Sequence, residues 1–130
     1  MTTKPVVLIV DDSSFNLQLL GAFLGSDYDV CVATTGEEAI EIAPDVEPDI
    51  VILDVVLPGI DGHDVCTSLR NMPQFRDLPI IFSSGNGDAE TIARGRAVGG
   101  TDFLGKPVNA AALRKMVAAH TAEGRRPCSA

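Results

Sequence analysis

The chain has 130 residues, 45% of them hydrophobic, and a formal net charge of −8. That is the size of one domain, able to bury roughly two-thirds of its unfolded surface without disulfide or metal staples. No basic run is long enough to track a phosphate backbone, so direct nucleic-acid binding is not expected, whereas a cation held by acids fits the balance.

Residues 5–10 form an uninterrupted apolar run that ends in acid at Asp11 and Asp12. Such a run reads as a strand buried on both faces, because a strand solvated on one face would alternate. From Ser14 to Leu24 the period turns helical. Phe15, Leu19, Leu20, Phe23 and Leu24 make a broad apolar face that leaves Leu17 exposed. Gly25 and Ser26 stop this helix. Residues 29–33 read as a short strand near a sheet edge. Thr35 and Glu38 match a capping box for a helix to about Ala43, closed by Pro44.

Residues 50–53 (Ile-Val-Ile-Leu) are a second buried run, leading into Asp54. Pro58 and Gly59 then mark a loop. Asp61 can cap a helix to about Asn71 with Val65 and Leu69 on one face. Residues 78–83 are the fourth strand. A loop at residues 85–87 precedes a weakly apolar helix over 88–98, expected to be loosely held because it carries Gly95. Residues 102–106 are a short fifth strand, and Asn109 caps a helix to about Thr121. The expected domain spans 1–121, with a flexible tail over 122–130.

Strands alternating with helices through short connections predict an α/β fold: a doubly wound parallel sheet covered on both faces, with right-handed crossovers. Cys31, Cys66 and Cys128 are odd in number and widely spaced, so neither a disulfide framework nor a CxxC metal site fits. Cys31 and Cys66 are expected to fill core positions. There is no secretory leader pattern and no apolar run of membrane-spanning length, which points to a soluble cytoplasmic protein with no membrane partner.

In a parallel sheet all carboxyl ends lie on one edge, where open α/β folds bind ligands. Asp11, Asp12, Asp54, Ser83 and Lys106 all fall there. Each has an ordinary reading by itself: Asp11 and Asp12 as helix caps, Asp54 and Ser83 as loop residues, Lys106 as a solvated lysine. Their common edge favours a shared site. Clustered carboxylates need a compensating cation, and all-oxygen ligands select a hard ion such as Mg²⁺. A metal and a lysine can offset the charge of phosphoryl transfer, with Ser83 donating to one oxygen and Asp54 attacking to form an aspartyl phosphate.

The motifs Val-Asp-Asp at 10–12, Leu-Asp at 53–54, Leu-Pro-Gly-Ile-Asp-Gly at 57–62, Ser83-Ser84, Gly99, Asp102-Phe103-Leu104 and Lys106-Pro107 carry a resemblance. Over about residues 5–120 the chain resembles the receiver (phosphoacceptor) domain of two-component response regulators. The resemblance implies a flavodoxin-like (βα)5 fold with strand order 2-1-3-4-5. It implies Asp12 and Asp54 as direct Mg²⁺ ligands, Asp11 acting mainly through water, and the backbone carbonyl of Val56 as a further ligand. It also implies Lys106 on the phosphoryl group, a cis Lys106–Pro107 bond, and Phe103 at a switch position coupled to Ser83. Plain core filling remains open for Phe103.

The implied phosphodonor is a histidine kinase or histidine phosphotransfer protein, and the implied reader is a downstream partner or output domain. Beyond its own phosphorylation and dephosphorylation, no enzymatic activity is implied. The alternatives are an adaptor that keeps the fold but takes up no phosphate, and an aspartyl-phosphate phosphatase. The phosphatase needs an acid two positions after its nucleophile, where Ser13 and Val56 stand here. A nucleotide-binding reading of residues 85–87 lacks the rest of a phosphate loop. No output domain is expected after residue 121, so the chain reads as a stand-alone receiver or a piece of a larger regulator.

Overall fold

A computed structural model of the chain describes residues 4–85 and 89–123. Residues 86–88, Arg125, Arg126 and Cys128 therefore lie outside the described residues, with the readings attached to them. The strands are β1 (Val6–Val10), β2 (Asp29–Ala33), β3 (Ile50–Asp54), β4 (Ile80–Ser84) and β5 (Asp102–Gly105). They form one parallel sheet in the order β2-β1-β3-β4-β5. The helices are α1 (Ser14–Leu24), α2 (Gly36–Val46), α3 (Gly62–Arg70), α4 (Ala89–Ala97) and α5 (Ala110–Ala118), and a π-helical turn follows over Ala119–Glu123.

The period-2 alternation of the strands divides the core between two faces. Val7, Ile9, Ile50, Ile52 and Ile81 meet Leu17, Leu20 and Leu24 of α1 and Leu113 and Val117 of α5. On the other face Leu8, Val10, Val51, Leu53 and Phe82 meet Ala39 and Ala43 of α2 and Val65, Cys66 and Leu69 of α3. All five residues of β3 are buried, as its unbroken apolar run requires of the central strand. At about 1.5–3 kcal/mol for each large side chain removed from water, this strand anchors the fold.

Local signals place most helix starts. Ser13, Thr35, Asp61 and Asn109 each accept a backbone N–H three residues on. The Glu38 carboxylate reaches back to the N–H of Thr34 at 2.8 Å, one residue beyond the usual partner in a capping box. Arg70 ties α3 to the α4–β5 turn, donating from Nε and Nη2 to the Gly99 carbonyl at 3.1 and 2.7 Å.

Three expectations need correction. In α1, Leu17 is buried and Phe15 is 69% exposed. Apolar side chains occupy more than half of this helix's circumference, so their pattern does not fix which side meets the sheet. Pro44 does not close α2, which continues to Val46 and ends on Glu47 in the left-handed region (φ 50°). The proline falls in the last turn, where its missing N–H removes a single bond. Cys66 is fully buried as expected, but Cys31 on edge strand β2 is only partly so.

Candidate functional site

The site lies on the carboxyl edge of the sheet, and backbone bonds just past the strands fix its members. Asp11 N–H donates to the Ala33 carbonyl at 3.1 Å, and Val55 N–H to the Ser83 carbonyl at 3.1 Å. Lys106 N–H donates to the Ser84 carbonyl at 2.9 Å. Val10 pairs with Leu53 and Asp54 with Ser83, so Asp11, Asp54 and Ser83 follow one another across β1, β3 and β4. Helix α3 starts close beside them. A Cβ at Gly62 would collide with the Asp54 carbonyl oxygen, which explains why glycine follows Asp61.

Asp11, Asp12 and Asp54 each offer a carboxylate oxygen within 4.8 Å of the others. Asp11 and Asp54 are buried, and Asp12 is exposed. Lys106 Nζ lies 2.9 Å from Asp54 Oδ2 and 3.5 Å from Asp11 Oδ2. The other Asp54 oxygen accepts the Val56 N–H at 3.1 Å. Burial pushes the Asp54 carboxyl above the ordinary carboxylate value, although Lys106 and the Val56 N–H pull it down. Burial also pulls on Lys106, but its hydrogen bond to Asp54 and the charges of Asp54 and Asp11 outweigh this and raise it.

Ser83 is buried and lines a cleft of about 120 Å³ with Asp11, Lys106 and Pro107. The Lys106–Pro107 peptide is cis, as the resemblance implies. Val56 contributes its N–H and turns a 73% exposed side chain outward. Phe103 stands apart from the acids. Its ring stacks on Phe82 at 5.8 Å, and the Arg96 guanidinium lies over it at 5.4 Å.

Two residues escaped the sequence reading. Asn16 donates from its amide to Asp11 Oδ2 at 3.3 Å. Its place in the first turn of a helix that starts just after the acids was the available signal. His63 is 4% exposed, neither ring nitrogen has a hydrogen-bond partner among the described residues, and its ring lies 5.3 Å from that of Phe82. Nothing in its local sequence marks it.

The donor set suits a hard divalent cation: three carboxylates with one lysine leave a net negative pocket made of oxygen ligands. A parallel sheet in this order, carrying that acidic pocket and a lysine at its carboxyl edge, defines a flavodoxin-like protein with a candidate cation site. A family model, the response regulator receiver domain, matches residues 7–118, and the chain belongs to that family of phosphoacceptor modules.

The response regulator PleD of Caulobacter vibrioides is 38% identical over 107 residues, covering 79% of this chain and 23% of that protein. The transcriptional regulatory protein AfsQ1 of Streptomyces coelicolor is 32% identical over 121 residues, covering 93% and 52%. The chain thus spans about a quarter to a half of these relatives. Among solved structures, the chemotaxis response regulator CheY4 of Vibrio cholerae matches with a TM-score of 0.86 at 32% identity, covering 91% of this chain and 99% of that one. The receiver domain of a modulated diguanylate cyclase from Desulfovibrio desulfuricans matches at 0.81 and 36% identity, covering 93% and 96%. No helix among the described residues is long and apolar enough to cross a membrane.

Proposed function

We propose that Asp54 is the phosphoacceptor, that Mg²⁺ is held by Asp11, Asp12, Asp54 and the Val56 backbone carbonyl, and that Lys106 and Ser83 receive the transferred group. The observation that carries this reading is the buried Asp54 carboxylate, 2.9 Å from Lys106 and grouped with two further acids. The receiver unit is taken as residues 1–121, with 122–130 as a tail.

A carboxylate oxygen of Asp54 attacks the phosphorus of a phosphohistidine. The P–N bond breaks, its electron pair leaves with the imidazole nitrogen, and an aspartyl phosphate remains. The metal supplies charge compensation for the phosphoryl oxygens. Lys106 exchanges its Asp54 partner for one of those oxygens, and the Ser83 hydroxyl donates to another. Beyond this self-modification the chain catalyses nothing.

The donor is a histidine kinase or a histidine phosphotransfer protein. It must cover the mouth of the site, where the exposed Phe15 shares the cleft with Pro107 and Val108. Drawing Ser83 toward the phosphoryl group disturbs the end of β4, next to the Phe82–Phe103 stack. Phe103 then carries the change to α4 and β5, the face a downstream partner or output domain reads.

Intact mass after incubation with Mg²⁺ and acetyl phosphate tests this. One added phosphoryl group, labile to hydroxylamine and absent in Asp54→Asn, is the expected result. No adduct even with a cognate kinase indicates the adaptor. Steady turnover of unrelated phosphate esters indicates the phosphatase.

A further inference from the structure

Asp11 is 2% exposed, and its carboxylate accepts three donors. The Ser13 N–H holds Oδ1 at 2.9 Å, and being backbone it is available with any residue but proline at 13. Oδ2 is shared by the Asn16 amide at 3.3 Å and the Lys106 ammonium at 3.5 Å. Among the described residues these are the two side chains that donate to it.

The place of Asn16 follows from helix geometry. Ser13 caps α1 and takes the Asn16 backbone N–H on its hydroxyl at 3.3 Å. Helical side chains lean toward the N-terminus. The N-terminus of α1 abuts the carboxyl edge of β1, so an amide of this length reaches back to Asp11.

The two donors differ in kind. Lys106 is a full positive charge already bonded to Asp54, and any closer approach to Asp11 opposes a cation on that carboxylate. Asn16 is neutral. It orients the oxygen and leaves the negative charge available. We propose that Asn16 is a positioning residue: its amide takes part of the Asp11 Oδ2 that it shares with Lys106, which keeps the lysine at 3.5 Å and limits its competition with a divalent ion for that carboxylate. This rests on the reading of Asp11, Asp12 and Asp54 as the metal site.

The test uses the full chain and Mn²⁺ alone, with free Mn²⁺ followed by electron paramagnetic resonance. Asn16→Ala weakens binding roughly tenfold, the scale of one hydrogen bond to a charged group. Asn16→Leu, which keeps the branched skeleton without the donor, weakens it as well. In a Lys106→Ala background the same substitutions change affinity less than about twofold, since no lysine remains to capture Asp11. A residue that merely packs α1 would lower the melting temperature and leave Mn²⁺ affinity alone. Unchanged affinity in both Asn16 variants overturns the proposal, and so does an equal loss with and without Lys106. If the parent protein binds no Mn²⁺, the metal-site reading itself fails and takes the proposal with it.

Discussion

The Lys106 ammonium lies 2.9 Å from an oxygen of Asp54, although 52 residues separate the two in the chain. The Lys106 N–H bond to the Ser84 carbonyl sets the path of the chain there. Lys106 thus stands where it offsets the charge of Asp54 and, in the proposed reading, where it would reach a phosphoryl group on that residue. Lys106→Ala is expected to tighten Mn²⁺ binding several-fold, because a competing positive charge is gone. It is also expected to slow acetyl phosphate labelling by about 100-fold, the cost of losing one group that stabilises developing charge. Metal titration and time-resolved intact mass separate the two effects.

Ionised Asp54 is a burden on the fold. Its carboxyl titrates above the ordinary 3.8 because burial disfavours the charge. A carboxyl raised in the folded state gives stability that is full below the unfolded value and lost as pH rises through the folded one. Asp54→Asn removes the charge and keeps one of the two acceptor oxygens, enough for either Lys106 or the Val56 N–H. At pH 7 and without metal it should raise the melting temperature by about 3–5 °C, near 1 kcal/mol for a chain of this size. The gain should vanish below about pH 4. Thermal melts at both pH values check this.

Gly95 keeps α4 close to the Phe103 ring. A Cβ there would lie 2.6 Å from Phe103 Cε2 and 3.2 Å from Phe82 Cδ2. In an open helix, glycine to alanine stabilises by about 0.5–1 kcal/mol. Here Gly95→Ala is expected to destabilise by about 1–3 kcal/mol through overpacking. Gly95→Ala with Phe103→Leu should recover most of that loss. Urea titration of the single and double variants decides it.

His63 sets a second pH dependence of opposite sign. Burial lowers its pKa from 6.5, helped by Arg94 and opposed by Asp61 and Asp64. Asp61 Oδ2 lies 4.0 Å from Nδ1 and 3.8 Å from Arg94, and Glu90 lines the same cavity from α4. The unfolded chain takes up a proton near pH 6.5 that the folded state refuses, so stability falls as pH drops from there through the lower folded value. His63→Leu should flatten the melting temperature between about pH 7 and 5 relative to the parent. A parent slope retained in the variant contradicts this.

The sheet and the acid cluster were legible because both rest on local text. Unbroken apolar runs mark buried strands, and the residue after each run falls on the carboxyl edge. What escaped depends on which side of a helix meets the sheet. Leu17 and Phe15 exchanged roles because apolar side chains cover more than half of the circumference of α1. Gly95 reads from sequence as a weak point of α4, yet the ring of Phe103, on a different element, explains it. Asn16 shows only once α1 is docked. His63 shows only once Phe82 is in place beside it.

The central claim is that a phosphoryl group becomes bonded to the Asp54 carboxyl. Borohydride reduces an acyl phosphate to an alcohol and leaves free carboxylates untouched. After labelling with acetyl phosphate and Mg²⁺, reduction followed by peptide sequencing should find homoserine at position 54, with aspartate intact at 11 and 12. Homoserine at another position, or unmodified aspartate at 54 in a protein that carries the phosphoryl mass, would contradict the account.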